Sequence, residues 1–386
     1  MTKDNNEIRL LAVGDISLKS VSLKDPFDDI RDTLKRNDIL FGNLETVLSD
    51  RGNPEEKSVI LSVSPDRAHF LCDAGFDVLN VANNHIMDRG PQGFADTLDF
   101  AARNGLKIIG VKKDRRLQNH VIIEKNGTKV GFLAYYEYGF ENSKDKIFIN
   151  KISRGEIISD IQQLKPKCDH IVVSLHWGIE KASYPSPDQI SIAHELIDKG
   201  ATIIFGHHPH VIQGIERYNC GLIAYSLGNF QFEFDPAEYT RHINPPNYSM
   251  ILSVKLDKNG LRSYEAIPVE IDPNWSPTIA SEPVRGKILG SIDELSRSIS
   301  GGKISWQQWY AEIAPTYISD AMRSWKIRIQ QYGVRHIISF FKWLCNPFTI
   351  KCLAAILRKR SNTKFKSCEP SKSQQSKQLN AADHVR

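Results

Sequence analysis

Several signatures that would assign a common chemistry are missing from this chain. It has no Walker-type phosphate loop, and no dinucleotide fingerprint follows its first apolar segment, so neither nucleoside-triphosphate nor dinucleotide binding is expected. None of its six cysteines forms a Cys-x-x-Cys pair. Cys72, Cys168 and Cys220 fall in or beside expected regular elements, which argues against a disulfide framework and for a reducing compartment. Met1 to Glu7 is polar and leads directly into an apolar segment, without the core of a signal peptide. Lys342 and Lys351 interrupt the apolar stretch near the end well short of the ~18 uncharged residues of a spanning helix. The expectation is a cytoplasmic protein, with membrane association left open. No repeat with a period of ~20 to 50 residues is found.

What is present fits a soluble globular protein: 386 residues, 41% hydrophobic and 25% charged, enough to bury a substantial core. Charge is unevenly spread. Residues 321–386 hold 14 Lys+Arg against 2 Asp+Glu, while the whole chain holds 50 against 45. The first 320 residues are therefore formally acidic, at −7, and the remainder basic, at +12. Such asymmetry fits a basic tail meeting an anionic surface.

The densest chemistry lies at Gly206-His207-His208-Pro209-His210-Val211, directly after the apolar run Thr202 to Phe205. Alternate residues of a strand share a face. A strand running on through Pro209 would aim His208 and His210 at one metal ion, with His207 on the opposite face. A lone His-x-His also occurs in polar turns, and four other apolar runs decide between the readings. Ile8 to Val13 ends at Gly14-Asp15, and Ile39 to Phe41 at Gly42-Asn43-Leu44-Glu45. Val78 to Ala82 ends at Asn83-Asn84-His85, with Asp88 beyond, and Ile171 to Leu175 ends at His176-Trp177-Gly178. Short continuous apolar runs read as strands buried on both faces, and open α/β sheets bind ligands at the carboxyl ends of their strands. Five strand ends thus deliver metal-ligand chemistry to one edge.

Helix-like stretches lie between the runs: Pro26 to Lys35, Pro65 to Ala74, Pro91 to Arg103, Ser153 to Leu164 and Pro187 to Lys199. Asn126-Gly127 and Asn259-Gly260 mark hairpin turns, and Asn219-Cys220-Gly221 a third. The expected fold class is α/β (α+β), with parallel strands at the centre, antiparallel flanks and two packed sheets.

The ordered motifs Gly14-Asp15, Gly42 to Glu45, Asn83 to Asp88, His176 to Glu180, Gly206 to Val211 and Tyr225 to Phe230 resemble the CapA family of capsule and poly-γ-glutamate synthesis proteins. That family looks like a branch of the calcineurin-like metallophosphoesterases, and the resemblance implies a metal-bearing β-sandwich flanked by helices over about residues 8–271. It also implies roles. Asp15 and His210 would hold a first metal, and Asn84, His176 and His208 a second. His85 would act as the acid that assists the leaving group. Two positions depart from the superfamily pattern. Ser17 stands where a histidine usually follows the first aspartate. Asn43 or Glu45 replaces the bridging aspartate, and Glu45 is favoured because a carboxylate can bridge two cations. Many relatives look membrane-anchored, with the domain outside the cell, and the polar start of this chain departs from that.

The residues themselves support hydrolytic chemistry. Imidazole, carboxylate and amide donors without thiolate suit Mn, Fe or Zn, expected here as two ions. Such a pair polarises a phosphoryl oxygen and lowers the pKa of water towards ~7. His85 beside Asp88 could carry the proton, or be a core histidine bonded to backbone. Glu180 is either a partner that orients a ligand imidazole or an exposed loop carboxylate, and His207 and Asn43 are further supporting positions.

Three segments are expected: a catalytic domain over 1–275, a helical basic extension over 276–360, and a disordered tail over 361–386 rich in Ser, Lys and Gln. In the extension, Ile337, Phe340, Phe341 and Leu344, and then Ile350, Leu353, Ala354 and Leu357, repeat at helical spacing. Two readings stand for this pair: a peripheral membrane contact, or a helical subdomain packed on the catalytic domain. The basic end matches no nucleic-acid fold, so DNA or RNA is a minor class of partner. The function expected is a metal-dependent hydrolase of phosphoester type acting on a capsule-like anionic polymer or phosphoester substrate. Amide or isopeptide hydrolysis on a polyglutamate chain and a non-catalytic assembly or polymer-binding role are the alternatives.

Overall fold

Period-two alternation explains the centre of the fold. Along Thr128–Tyr136, His170–His176 and Ile203–His207, one set of side chains (Val130, Phe132, Val172, Ile203, Phe205) enters a core shared with a second sheet. The alternate set (Leu133, Tyr135, Ile171, Val173, Ile204) enters a core roofed by helices. Strands buried on both faces leave little room for polar positions, which is why they read as continuous apolar runs. The computed structural model describes residues 7–19, 24–112, 120–142, 144, 147–234 and 246–367. The chain divides into two units, Met1–Trp306 and Gln307–Arg386.

In the first unit, Ile8–Ile16, Ile39–Leu44, Val78–Asn80 and Lys107–Ile109 are parallel neighbours in that order. Tyr248–Asp257 pairs antiparallel with Ile8–Ile16 and is followed outward by Gly260–Ile271 and Pro277–Ile279. Asn229–Gln231 pairs parallel with the end of Ile8–Ile16. The second sheet sets Thr128–Tyr136, His170–His176, Ile203–His207 and Gly221–Ala224 in parallel, with antiparallel Val121–Lys125 and Ile215–Tyr218 at its edges. Phe41 of the first sheet has its ring centroid 6.2 Å from Phe132 and 5.3 Å from Phe205 of the second. Fully burying one such ring is worth about 1.5–3 kcal/mol. Helices Arg154–Leu164 and Pro187–Asp198 cover the second sheet's outer face with Ile157, Ile161, Ile192 and Leu196. Ser186 and Gln189 form a capping box at the start of the latter, with Pro187 in its first turn. Two mixed sheets packed as a sandwich and flanked by helices are the fold class expected.

Two boundaries differ from expectation. Helix Val284–Ser300 belongs to the first unit, because its stripe Ile288, Ile292, Leu295 and Ile299 is buried, with Ile288 and Ile292 in the inter-sheet core. The first unit therefore runs to Trp306 rather than ending at 275. Asp257 pairs with Gly260, so Lys258-Asn259 make that hairpin turn, one residue earlier than the Asn-Gly signal implied. The Asn126-Gly127 turn is as expected, with φ of 50° and 71°.

The second unit contains the helices Arg335–Leu344 and Pro347–Ser367 and all but the first residue of Trp306–Tyr332. Aromatic contacts join them: Tyr317 and Phe348 lie 4.9 Å apart, Trp325 and Phe340 6.2 Å, and the Trp343 indole donates to the Tyr317 hydroxyl at 2.9 Å. The expected single stripe is split here. Phe340 packs against Trp325 and Trp343, while Phe341 faces solvent. Residues 361–367 continue the last helix where a disordered tail was expected, and 368–386 lie outside the described residues. Among the described residues no single helix is long and apolar enough to cross a membrane. Arg335–Leu344 and Pro347–Arg358, bent by 62°, pass by length and composition only as a pair. The five described cysteines are free.

Candidate metal centre

Both sheets bring the carboxyl ends of their parallel strands to one place, and two glycines permit the approach. A Cβ on Gly14 would sit 1.9 Å from the Gly228 carbonyl oxygen, and one on Gly206 1.8 Å from that of Tyr225. No side chain fits at either position. Register then builds a ladder across three strands, Asp15 opposite Asn43 and Asn43 opposite Asn80. Asn43 Nδ2 donates to Asp15 Oδ1 at 2.8 Å, and Asn80 Nδ2 donates to Asn43 Oδ1 at 2.9 Å.

From the other sheet, His176 and His207 sit in register and continue the inward-facing series of their strands. The strand ends at His207, so the extended path through Pro209 expected from the sequence is corrected. Proline cannot donate to the ladder, and the chain turns instead, with φ of 95° at His208 and 58° at His210. Left-handed backbone at two non-glycine residues is strained, of order 1–3 kcal/mol each, and such strain clusters at functional sites. The turn is held by Lys181 N–H donating to the Pro209 carbonyl at 2.8 Å and His208 N–H to Asp15 Oδ2 at 3.4 Å.

The structure brings Asp15, Glu45, Asn84, His176, His208 and His210 together. Two sets, Asp15–Glu45–His176 and Glu45–His208–His210, each offer ligand atoms within 4.8 Å of one another, and Glu45 is common to both. The His176 and His208 ring centroids are 4.9 Å apart. His176 Nε2 is 2.7 Å from Asn84 Oδ1 and 3.5 Å from Glu45 Oε1. His210 Nδ1 lies 2.9 Å from Asn229 Oδ1 and 3.3 Å from Asp15 Oδ2, and His207 Nδ1 lies 3.2 Å from Asp15 Oδ1.

Electrostatics shows how tightly these groups are coupled. Burial acts against the Asp15 carboxylate, yet hydrogen bonds with His207 and His210 hold it far below the usual range. Burial also acts against a charged His210, but Glu45 and Asp15 push it up to about 10. Burial pulls His208 down to about 4 and His176 well below its ordinary value. Burial raises Glu45 well above the carboxylate range. Neither Glu45 oxygen has a hydrogen-bond partner among the described residues, and His207 Nε2 and His208 Nδ1 have none either. Buried polar atoms without partners cost about 1–3 kcal/mol each. A divalent cation fits this donor set: nitrogen and oxygen ligands without thiolate suit Mn, Fe or Zn.

Beside the cluster, His85 Nδ1 is 2.6 Å from Asp88 Oδ2, and His85 N–H donates to Asn83 Oδ1 at 3.0 Å. Asp88 also accepts from Lys57 Nζ and from Leu61 N–H, each at 2.7 Å. Burial would raise the Asp88 pKa, but His85 and then Lys57 bring it below the usual range. Glu180 is exposed at the rim. Loss of water around its carboxylate disfavours its charge, and His208, His210 and His85 outweigh that and hold it below the usual range. Ser17 is buried, accepts from Lys19 N–H at 3.3 Å and belongs to neither ligand set. Sequence reasoning missed Lys57, Asn80 and Asn229. Asn80 sits inside the apolar run Val78 to Ala82 and Asn229 opens its strand, so neither read as a strand-end ligand, and Lys57 arrives from a loop that carried no signal.

Relatives share most of this chain. "Capsule biosynthesis protein CapA" of Bacillus anthracis is 31% identical over 310 residues, 75% of this chain and 74% of that one. "PGA biosynthesis protein CapA" of Bacillus subtilis (strain 168) is 31% identical over 278 residues, 70% and 71% of the two. Among solved structures, a 5'-nucleotidase from Candida albicans SC5314 aligns with a TM-score of 0.42 at 14% identity, over 76% of this chain and 58% of that one. Residues 9–233, which include every residue of the two ligand sets, match the bacterial capsule synthesis protein family PGA_cap, and the chain belongs to that family.

Proposed function

We propose that Met1–Trp306 is a metal-dependent hydrolase of phosphoester type, acting in the synthesis or modification of a capsule-like anionic polymer such as poly-γ-glutamate. Glu45 carries this reading: a fully buried carboxylate, both oxygens without a hydrogen-bond partner among the described residues, shared by two sets of ligand atoms. A divalent cation held by Asp15, Glu45, Asn84, His176, His208 and His210, in one or two copies, would supply a Lewis acid that polarises a phosphoryl oxygen and acidifies a water. The chain's own residues do the rest. Asn43 and Asn80 fix the Asp15 carboxylate in place. Asp88, anchored by Lys57 and Leu61, takes up His85 Nδ1, which leaves Nε2 to carry a proton to a departing oxygen.

The test is metal content joined to hydrolysis. Protein purified with Mn, Fe and Zn present should hold about two equivalents per chain and cleave a generic phosphomonoester or phosphodiester. Bound metal without turnover on either would favour the second reading, an assembly or polymer-binding factor. Ser17 supports that alternative, because a hydroxyl engaged with backbone stands where an imidazole ligand would strengthen the first site. No bound metal under those conditions would sink the hydrolase.

A further inference from the structure

The second unit carries an apolar surface that its own packing leaves exposed. In Arg335–Leu344, Phe340 and Trp343 pack with Trp325 and Tyr317. On another face, Val334, Ile338 and Phe341, spaced four and three apart, are 76%, 66% and 58% exposed. In Pro347–Ser367, Thr349 and Cys352 are buried, while Ile350 and Leu357, seven apart, are 53% and 65% exposed. A basic residue directly follows four of these apolar positions: Val334-Arg335, Phe341-Lys342, Ile350-Lys351 and Leu357-Arg358. The next residue lies about 100° further round a helix of 3.6 residues per turn. Each helix therefore presents an apolar stripe with a basic line along the same flank. No Asp or Glu occurs between Asp320 and Glu369.

We propose that these two helices form an interfacial anchor lying on an anionic lipid bilayer, with the stripes among the upper acyl chains and the cations at the headgroups. Amphipathic helices with a basic polar edge bind in this way, and anionic lipid rewards each cation near the surface. A soluble anionic polymer would engage the cations but gain nothing from Ile338, Phe341, Ile350 and Leu357. Crossing the bilayer would take Lys342 and Lys351 into the hydrocarbon, on a pair bent by 62°. The surface is independent of the metal centre, so it stands or falls separately from hydrolysis.

The experiment is co-sedimentation of the full chain with vesicles of phosphatidylcholine alone or mixed equally with phosphatidylglycerol. The wild type should bind the mixed vesicles, and Phe341→Ser with Leu357→Ser should weaken binding about tenfold or more. Lys342→Ser with Lys351→Ser should weaken it about tenfold or more, and salt should weaken the wild type in the same direction. Far-UV circular dichroism checks that helix content is kept. If a variant loses it, Ile338→Ser with Ile350→Ser replaces the apolar pair under the same criterion. Wild-type binding by the apolar variant would overturn the proposal. So would its undiminished capture by poly-γ-glutamate together with displacement of the wild type from vesicles, which would assign the surface to the polymer. Resistance of bound protein to an alkaline carbonate wash would show a crossing pair and overturn the interfacial arrangement.

Discussion

In Met1–Trp306, Asp15, Glu45, His176 and His207 are fully buried, whereas in Gln307–Arg386 Val334, Ile338, Phe341 and Leu357 are more than half exposed. The two regions invert the usual rule in opposite senses. Burying a charge or an unpaired polar atom is costly unless something compensates it. In the first unit much of the compensation is internal, through the Asn80–Asn43–Asp15 ladder and the contacts of His207 and His210 with Asp15. It remains incomplete at Glu45. In the second unit Val334, Ile338, Phe341 and Ile350 stay more than half exposed, while the charge beside them is of one sign. An unmet polar demand inside a protein points to an ion, and an unmet apolar one outside points to a surface. Each region can be tested by removing its unsatisfied group and asking whether the other responds.

The largest effect is expected at the centre. His208→Ala should remove about one of the two metal equivalents and abolish any hydrolysis, because it takes one member of the Glu45–His208–His210 set and leaves Asp15–Glu45–His176 intact. Elemental analysis per chain measures this, and vesicle binding by the second unit should not change. Retention of both equivalents would break the assignment of His208. Next comes His85→Ala, expected to lower turnover by about 10²- to 10⁴-fold with metal content intact, as for a general acid. Loss of metal with activity would make His85 a brace of the ligand loop instead.

How much of this could be read without coordinates follows the same division. The strand ends were legible because continuous apolar runs mark strands buried on both faces, and Asp15, Glu45, Asn84, His176 and His208 stand at or just past those ends. The amide ladder was not, since Asp15, Asn43 and Asn80 meet only through the register of three strands far apart in the chain. The left-handed turn at His208 and His210 was hidden too. Alternation predicts facing only while the backbone stays extended, and Pro209 ended that. Lys57 reaches Asp88 from 31 residues away through an irregular segment, where no periodicity could have announced it. In the second unit the helical spacing was correct, but it cannot distinguish the face that meets Trp325 from the one that meets water.

Acid should separate the units by a smaller amount. In metal-free protein His208 is held at about 4, against ~6.5 for an ordinary imidazole. The unfolded chain therefore binds this proton first, and stability due to His208 falls as pH drops from ~6.5 to about 4. Asp15, held low, keeps its contribution until the pH falls below the ordinary carboxylate range, and His210, held at about 10, keeps its own throughout this window. Glu45, raised, acts in the opposite direction, so the quantity to read is wild type minus His208→Gln. That difference should shrink by an amount on the order of 3 kcal/mol at most across the window. A difference flat with pH would mean that His208 is already charged or already solvated. The second unit has no buried imidazole among its described residues, and its helical signal should not follow the curve.

The smallest effect is the one that makes the comparison sharp. Phe341 is 58% exposed in Arg335–Leu344, so Phe341→Ser deletes little packing and should change unfolding stability by no more than about 0.5 kcal/mol. The reference is Phe41→Ala, where a ring between Phe132 and Phe205 is removed from the inter-sheet core at a cost of about 3–5 kcal/mol. Two phenylalanines in one chain thus differ by roughly an order of magnitude in what they contribute to folding. A ring that contributes almost nothing to the fold yet stands in a stripe of similar residues is available for a partner. Hydrogen exchange of both variants in rising urea, read at the amides of Arg335–Leu344 and of His170–His176, would follow the two units separately. If Phe341→Ser destabilises the second unit by several kcal/mol, the stripe is core that solvent merely touches, and the contrast between the two regions collapses.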